Sequence, residues 1–228
     1  MSGRRHGLPE GGLTLGHPLA VALMELAREA GYRATSVTEI TARAGVGREG
    51  FERDFGSREA LALAVLEVGG AELRERVGHA FAAGGRWPGS LRAAAWELAR
   101  WIREHPTAIH FGVLGLLGAE EMVLVRREEL LLWFARLVEE GRAVAADPAA
   151  VPRAAPLLLV GAIVGLLRGR LGPDLPAAMP GLVPEMMWLA VRPYLGPDAA
   201  DAELVLPPPE DFARGPGVPA EPRPTPGF

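Results

Sequence analysis

The sequence contains no cysteine, and it also has no lysine, asparagine or glutamine. The absence of cysteine excludes a disulfide framework, a thiolate zinc site and a cysteine nucleophile, as expected of a cytoplasmic protein. All 24 basic residues are therefore arginine, a bias that fits a GC-rich genome better than heat adaptation, which generally enriches lysine. Runs of β-branched residues between hairpin turns are missing too, so nothing in the pattern asks for a sheet. Long apolar runs are scarce. The longest, APLLLVGAIVGLL from Ala155 to Leu167, stops at 13 residues, short of the roughly 18 to 20 that cross a bilayer, and is expected to be a buried helix. The opening MSGRRHGLPEGGLTLG has no run of signal-peptide length, so neither export nor membrane partnership is expected.

What is present is helical. Over 228 residues, 49% apolar, the i, i+3, i+4, i+7 spacing recurs and Gly or Pro separates the repeats, which predicts an all-α fold. Helices are expected over Pro18 to Ala30, from Ser36 to about Ala44, and over Arg48 to Phe55. A long helix should run from Ser57 to about Ala83. Beyond it, helices are expected near Ser90 to Glu104, Pro106 to Leu117, Ala119 to Ala145, Pro152 to Arg170 and Leu182 to Tyr194. Ser36 with Glu39 spells a capping box, Gly45 permits the sharp turn that follows, and Phe51 and Phe55 lie one turn apart as anchors of a short helix. Residues 1–16 are expected to be a mobile arm. From residue 197 the chain is Pro-rich and is expected to be extended or disordered.

Over Ala22 to Glu67, the stretch ALMELAREAGYRATSVTEITARAGVGREGFERDFGSREALALAVLE resembles the DNA-binding domain of TetR-family transcriptional regulators. The later REHP (Arg103 to Pro106) is similar to the family's turn between helices 5 and 6, and VRPYLG (Val191 to Gly196) to a common ending of its last helix. The resemblance implies a cytoplasmic homodimer with a helix-turn-helix domain (17–56) and a helical effector-binding and dimerisation domain (57–196). Operator DNA would be one partner and a small, apolar effector the other, with no metal or cofactor. On the family's pattern, Thr35, Arg48, Glu49, Gly50, Glu52, Arg53, Asp54 and Arg58 fall at the DNA surface. The recognition helix departs from that pattern. Gly47 stands where a hydroxyl residue usually opens the helix, Gly50, Glu52 and Asp54 replace the usual Thr, Tyr and His, and Ala27 replaces an aromatic.

At 100° per residue, a helix buried through Phe51 and Phe55 turns Glu49 and Arg53 outward and sets Glu52 and Asp54 on opposite flanks, where phosphates would lie. Two like-charge contacts per subunit, at about 1 kcal/mol each in water, would cost a dimer about 4 kcal/mol. Residues 1–56 carry seven arginines (4, 5, 28, 33, 43, 48, 53) and seven acids (10, 25, 29, 39, 49, 52, 54), so the net is zero and the usual basic footprint is missing. Two readings stay open. Glu49 can accept a hydrogen bond from cytosine while Arg4 and Arg5 enter a minor groove. Alternatively, Glu52 and Asp54 form a solvated face paired with Arg48 and Arg53, on a domain that no longer binds DNA.

Large aromatics between residues 87 and 134 are candidate walls of an effector pocket or ordinary core, with Trp96, Arg100, Phe111 and Trp133 as the candidates. Leu158, Gly161, Ile163, Gly165, Leu166, Met187 and Val191 are the candidate dimer contacts. The histidines (6, 17, 79, 105, 110) lack the i, i+4 spacing of a helical zinc pair, and no nucleophile elbow, phosphate loop or dinucleotide fingerprint occurs. No catalytic residue is assigned. Glu120 with Glu121, and Glu139 with Glu140, read as solvated acids.

Overall fold

A computed structural model describes residues 12–170, 172 and 174–213. Within them the chain forms ten α-helices and no strand. The first three are α1 (Pro18–Ala30), α2 (Val37–Ala44) and α3 (Arg48–Asp54), followed by α4 (Arg58–Ala83), α5 (Gly89–Glu104) and α6 (Pro106–His110). After these come α7 (Glu121–Glu139), α8 (Ala155–Arg170), α9 (Leu175–Leu204) and α10 (Glu210–Ala213).

Local chemistry sets the front end. Ser36 Oγ accepts from the Glu39 N–H while the Glu39 carboxylate accepts from the Ser36 N–H at 2.8 Å, a completed capping box. Gly45 closes α2 at φ 66, where a β-carbon would clash with the following carbonyl, and turns the chain into α3. Phe51 is fully buried and packs against Phe55 with ring centroids 6.0 Å apart. Gly56 then leads to Ser57, whose hydroxyl accepts from the Ala60 N–H and opens α4.

The larger domain stacks α4 on α5 and α7, α5 on α9, and α8 on α7 and α9. Between α6 and α7 the expected helix widens into a π-turn over Phe111–Gly115, and Phe111 is buried beneath it. The expected helix through 145 likewise tightens, becoming a 3-10 turn over Glu140–Val144.

Three expectations need correction. Residues 12–16 are not a mobile arm: Leu13 and Leu15 are buried, and Leu15 packs over Gly69 of α4. Residues 1–11, including Arg4 and Arg5, lie outside the described residues. The last long helix begins at Leu175 rather than near Leu182, despite Pro180 and Pro184 inside it. An interior proline costs about 3 kcal/mol, but Met179, Leu182, Val183, Met186, Met187, Ala190 and Val191 are all buried, and that burial outweighs the lost hydrogen bonds.

The region from 197 to 213 is not extended. Gly196, at φ 83, breaks α9, and the chain re-enters helix at Pro197. Ala200 and Glu203 are buried, and Arg92 Nε donates to Glu203 Oε2 at 2.7 Å. Phe212 of α10 packs on Trp96 at 5.0 Å between centroids, while Arg100 grips Asp211 through Nε and Nη2 at 2.8 and 3.1 Å. Residues 197–213 thus form a strap over the outer face of α5. Residues 214–228 lie outside the described residues.

Candidate nucleic-acid interface and effector cavity

Helices α2 and α3, joined by the Gly45 turn, present α3 outward from a floor made by Phe51 and Phe55. Arg48, Glu49, Glu52 and Arg53 are exposed, whereas Asp54 is only 15% exposed along its side chain. Each flanking acid has taken an arginine of its own helix. Arg48 Nε donates to Glu52 Oε1 at 2.7 Å, and Arg53 donates to both Asp54 oxygens at 2.8 and 3.2 Å. Gly50 is half-buried, with Val46 Cγ1 3.4 Å from where a β-carbon would stand.

Just behind α3, the link between α1 and α2 is fastened to the larger domain. Tyr32 Oη donates to Glu120 Oε2 at 2.7 Å, and Arg58 Nη2 donates to Glu120 Oε1 at 2.8 Å. Arg58 Nη1 reaches the carbonyls of Tyr32 and Thr35 at 3.1 and 2.7 Å, and its guanidinium lies over the Tyr32 ring at 4.2 Å. Arg33 Nε donates to the Gly118 carbonyl at 3.2 Å. Partial burial opposes ionisation of Glu120, but the bonds from Tyr32 and Arg58 outweigh it and hold the carboxyl below the usual carboxylate range. Burial and the same carboxylate push the Tyr32 phenol well above its ordinary value.

A cavity of about 160 Å³ lies among α4, α5, the π-turn, α7, α8 and α9. Val65, Leu73, Trp101, Phe111, Phe134 and Met187 are among its walls. Among the described residues its one charged lining residue is Arg127, whose Nε donates to the Gly112 carbonyl of the π-turn at 2.6 Å.

Residues 19–65, from α1 into the first turns of α4, match the family model described as bacterial regulatory proteins, tetR family. Over these residues the chain is similar to the DNA-binding domain of the TetR family. No curated protein and no solved structure matches it. The match covers the helix-turn-helix, with the larger helical domain following it.

Within this TetR-type domain, two expected DNA-facing residues are spent elsewhere. Thr35 is buried and its hydroxyl donates to the Gly31 carbonyl at 3.1 Å. Arg58 faces inward to Glu120 and backbone carbonyls. Arg43, one of the seven arginines of residues 1–56, is held by Glu29 at 2.9 and 3.0 Å.

Among the expected pocket residues, Phe111 lines the cavity, but Trp96 and Arg100 dock the strap. Trp133 sits beside Gly78 and edge-on to Phe134, which takes the cavity position instead. On α5 the cavity is met by Leu91, Ala94, Leu98 and Trp101, the helical face rotated from Trp96.

The expected dimer residues divide in the same way. Leu158 is 67% exposed, Gly161 and Gly165 are exposed, and Leu166 is half-buried. Met187 and Val191 are buried in the chain's own core, and Ile163 lines the cavity. Helix α8 is therefore buried on one face only, not wholly buried as its composition suggested. The fastening around Glu120 had no local sequence signal, because Tyr32 and Glu120 are 88 residues apart.

Proposed function

We propose that this chain is a one-component regulator that binds operator DNA as a homodimer and is released or modulated by a small apolar effector. The observation that carries the reading is one connected structure. A TetR-type helix-turn-helix is fastened, through Glu120 at the N-cap of α7, to a helix whose later residues Arg127, Leu130 and Phe134 line an apolar cavity. The cavity's volume of about 160 Å³ is ample beside the roughly 10–15 Å³ that one water needs, and apolar walls favour an apolar guest over water. Each methylene transferred into it contributes about 0.8 kcal/mol, roughly fourfold in affinity.

The dimer contact we assign is the outward face of α8 with the neighbouring part of α9. Leu157 and Leu158 are 48% and 67% exposed there, and a β-carbon added to Gly161, Gly165 or Gly181 would meet no atom within 4 Å. DNA contacts are assigned to Arg48, Glu49, Gly50 and Arg53, with Glu52 and Asp54 neutralised by their intrahelical partners. A cytoplasmic location follows from this role.

A second reading, a ligand-binding dimer that has lost DNA affinity, is favoured by the same ion pairs, since the two α3 arginines are already engaged. Fluorescence anisotropy with DNA flanking the protein's own gene, across a salt series, separates the two. Selective, salt-sensitive binding by the natural chain supports the regulator. Binding that appears only in a Glu52→Tyr, Asp54→His double variant supports the second reading.

A further inference from the structure

The cavity's polar chemistry is all of one kind. Among the described residues, none of its lining side chains is an aspartate, glutamate, histidine, serine, threonine or tyrosine. The side-chain donors it offers are the Arg127 guanidinium and the Trp101 indole, whose Nε1 is buried without a hydrogen-bond partner. Arg127 is half-buried and engages through Nε alone, to Gly112. Its two Nη nitrogens have no partner among the described residues, although the adjacent Arg126 is held by Glu67 and Glu129. A guanidinium whose Nε is fixed to backbone still offers its Nη pair in the plane that matches a carboxylate.

We propose that the cavity takes an amphipathic carboxylate, its hydrocarbon chain along the apolar walls and its headgroup on the Nη pair of Arg127. This rests on reading the cavity as the effector site and goes further by fixing the ligand's charge and the residue that selects it. A cationic amphiphile would meet a like charge and no side-chain acceptor. A neutral one would bury its chain equally well but, with no charge of its own, could not form the bidentate ion pair.

The test is calorimetric titration of the full chain with decanoate, decanol and decylammonium, each as monomers in solution, beside Arg127→Met and Arg127→Lys. The natural chain is expected to bind decanoate about ten- to a hundredfold more tightly than decanol, the range of a hydrogen-bonded charge pair. Decylammonium is expected to be the weakest. Arg127→Met should lose the preference for decanoate while still binding decanol, within about a few-fold of the natural chain, which shows that it has folded; Arg127→Lys should keep part of the preference. Equal affinity for decanoate and decanol in the natural chain overturns the headgroup assignment and leaves the effector cavity standing. A preference that survives in Arg127→Met overturns it as well. Failure of all three amphiphiles to bind overturns the effector-site reading and this proposal with it.

Discussion

At the scale of single residues, Arg58 shows how one side chain can be claimed by two functions. On the family's pattern it sits where a basic residue meets phosphate, yet its donors go to Glu120 and to the carbonyls of Tyr32 and Thr35. Arg58→Leu should therefore cost about 2 kcal/mol in urea unfolding, because it strips a charged partner from Glu120 and leaves carbonyls short of a donor. In the DNA titration the same variant should leave the salt slope unchanged, whereas a lost phosphate contact would lower it by about one per subunit. A reduced slope with unchanged stability would return Arg58 to the DNA surface. The Ser36–Glu39 capping box was legible because both partners lie within one turn. The Arg48–Glu52 pair was legible for the same reason. Thr35, Arg58 and Glu120 were not, since their roles depend on contacts between distant segments.

At the scale of elements, the strap over α5 is the largest departure from what composition implied. Proline content pointed to an extended tail, but Pro197 occupies the first turn of a helical segment, where its missing N–H costs nothing. Docking then comes from a few side chains: Phe212 on Trp96, and Asp211 on Arg100 and Arg103. Phe212→Ala is expected to lower stability by about 3 kcal/mol, the low end for a buried phenylalanine because the site is at the periphery. A loss under 0.5 kcal/mol in chemical denaturation would mean the strap contributes nothing. The dependence on pH has a definite sign. Its bond to Arg100 holds the Asp211 carboxyl below its ordinary value, so its contribution to docking is complete above about pH 4, the unfolded aspartate's pKa. That contribution fades as pH falls through the lower folded value. Protection of α5 and α10 amides against hydrogen exchange should decline over that acidic interval in the natural chain and be insensitive to it in Asp211→Asn.

At the scale of the whole molecule, the all-α class and helix order could be read from periodicity, but which face of α8 and α9 turns outward could not. The run LLLVGAIVGLL is apolar all round, so its sequence has no polar stripe to mark the solvent side. Packing decides it: Leu159, Val160 and Leu167 are buried while Leu157, Leu158 and Gly161 are exposed. Such a face is costly on a lone protomer and inexpensive between two, which is the physical case for a dimer. Leu158→Glu is the discriminating change. With Leu158 at 67% exposure, the protomer's own stability should shift by no more than about 0.5 kcal/mol. In a dimer, however, the same carboxylate would be buried against its symmetry mate. Sedimentation should show a dimer for the natural chain and a monomer for the variant. Operator affinity should then fall by about 10²-fold or more, because two linked half-site contacts become independent ones. A monomeric natural chain, or a variant that still sediments as a dimer, would move the interface off this face; loss of dimer with DNA affinity intact would mean that each helix-turn-helix binds alone.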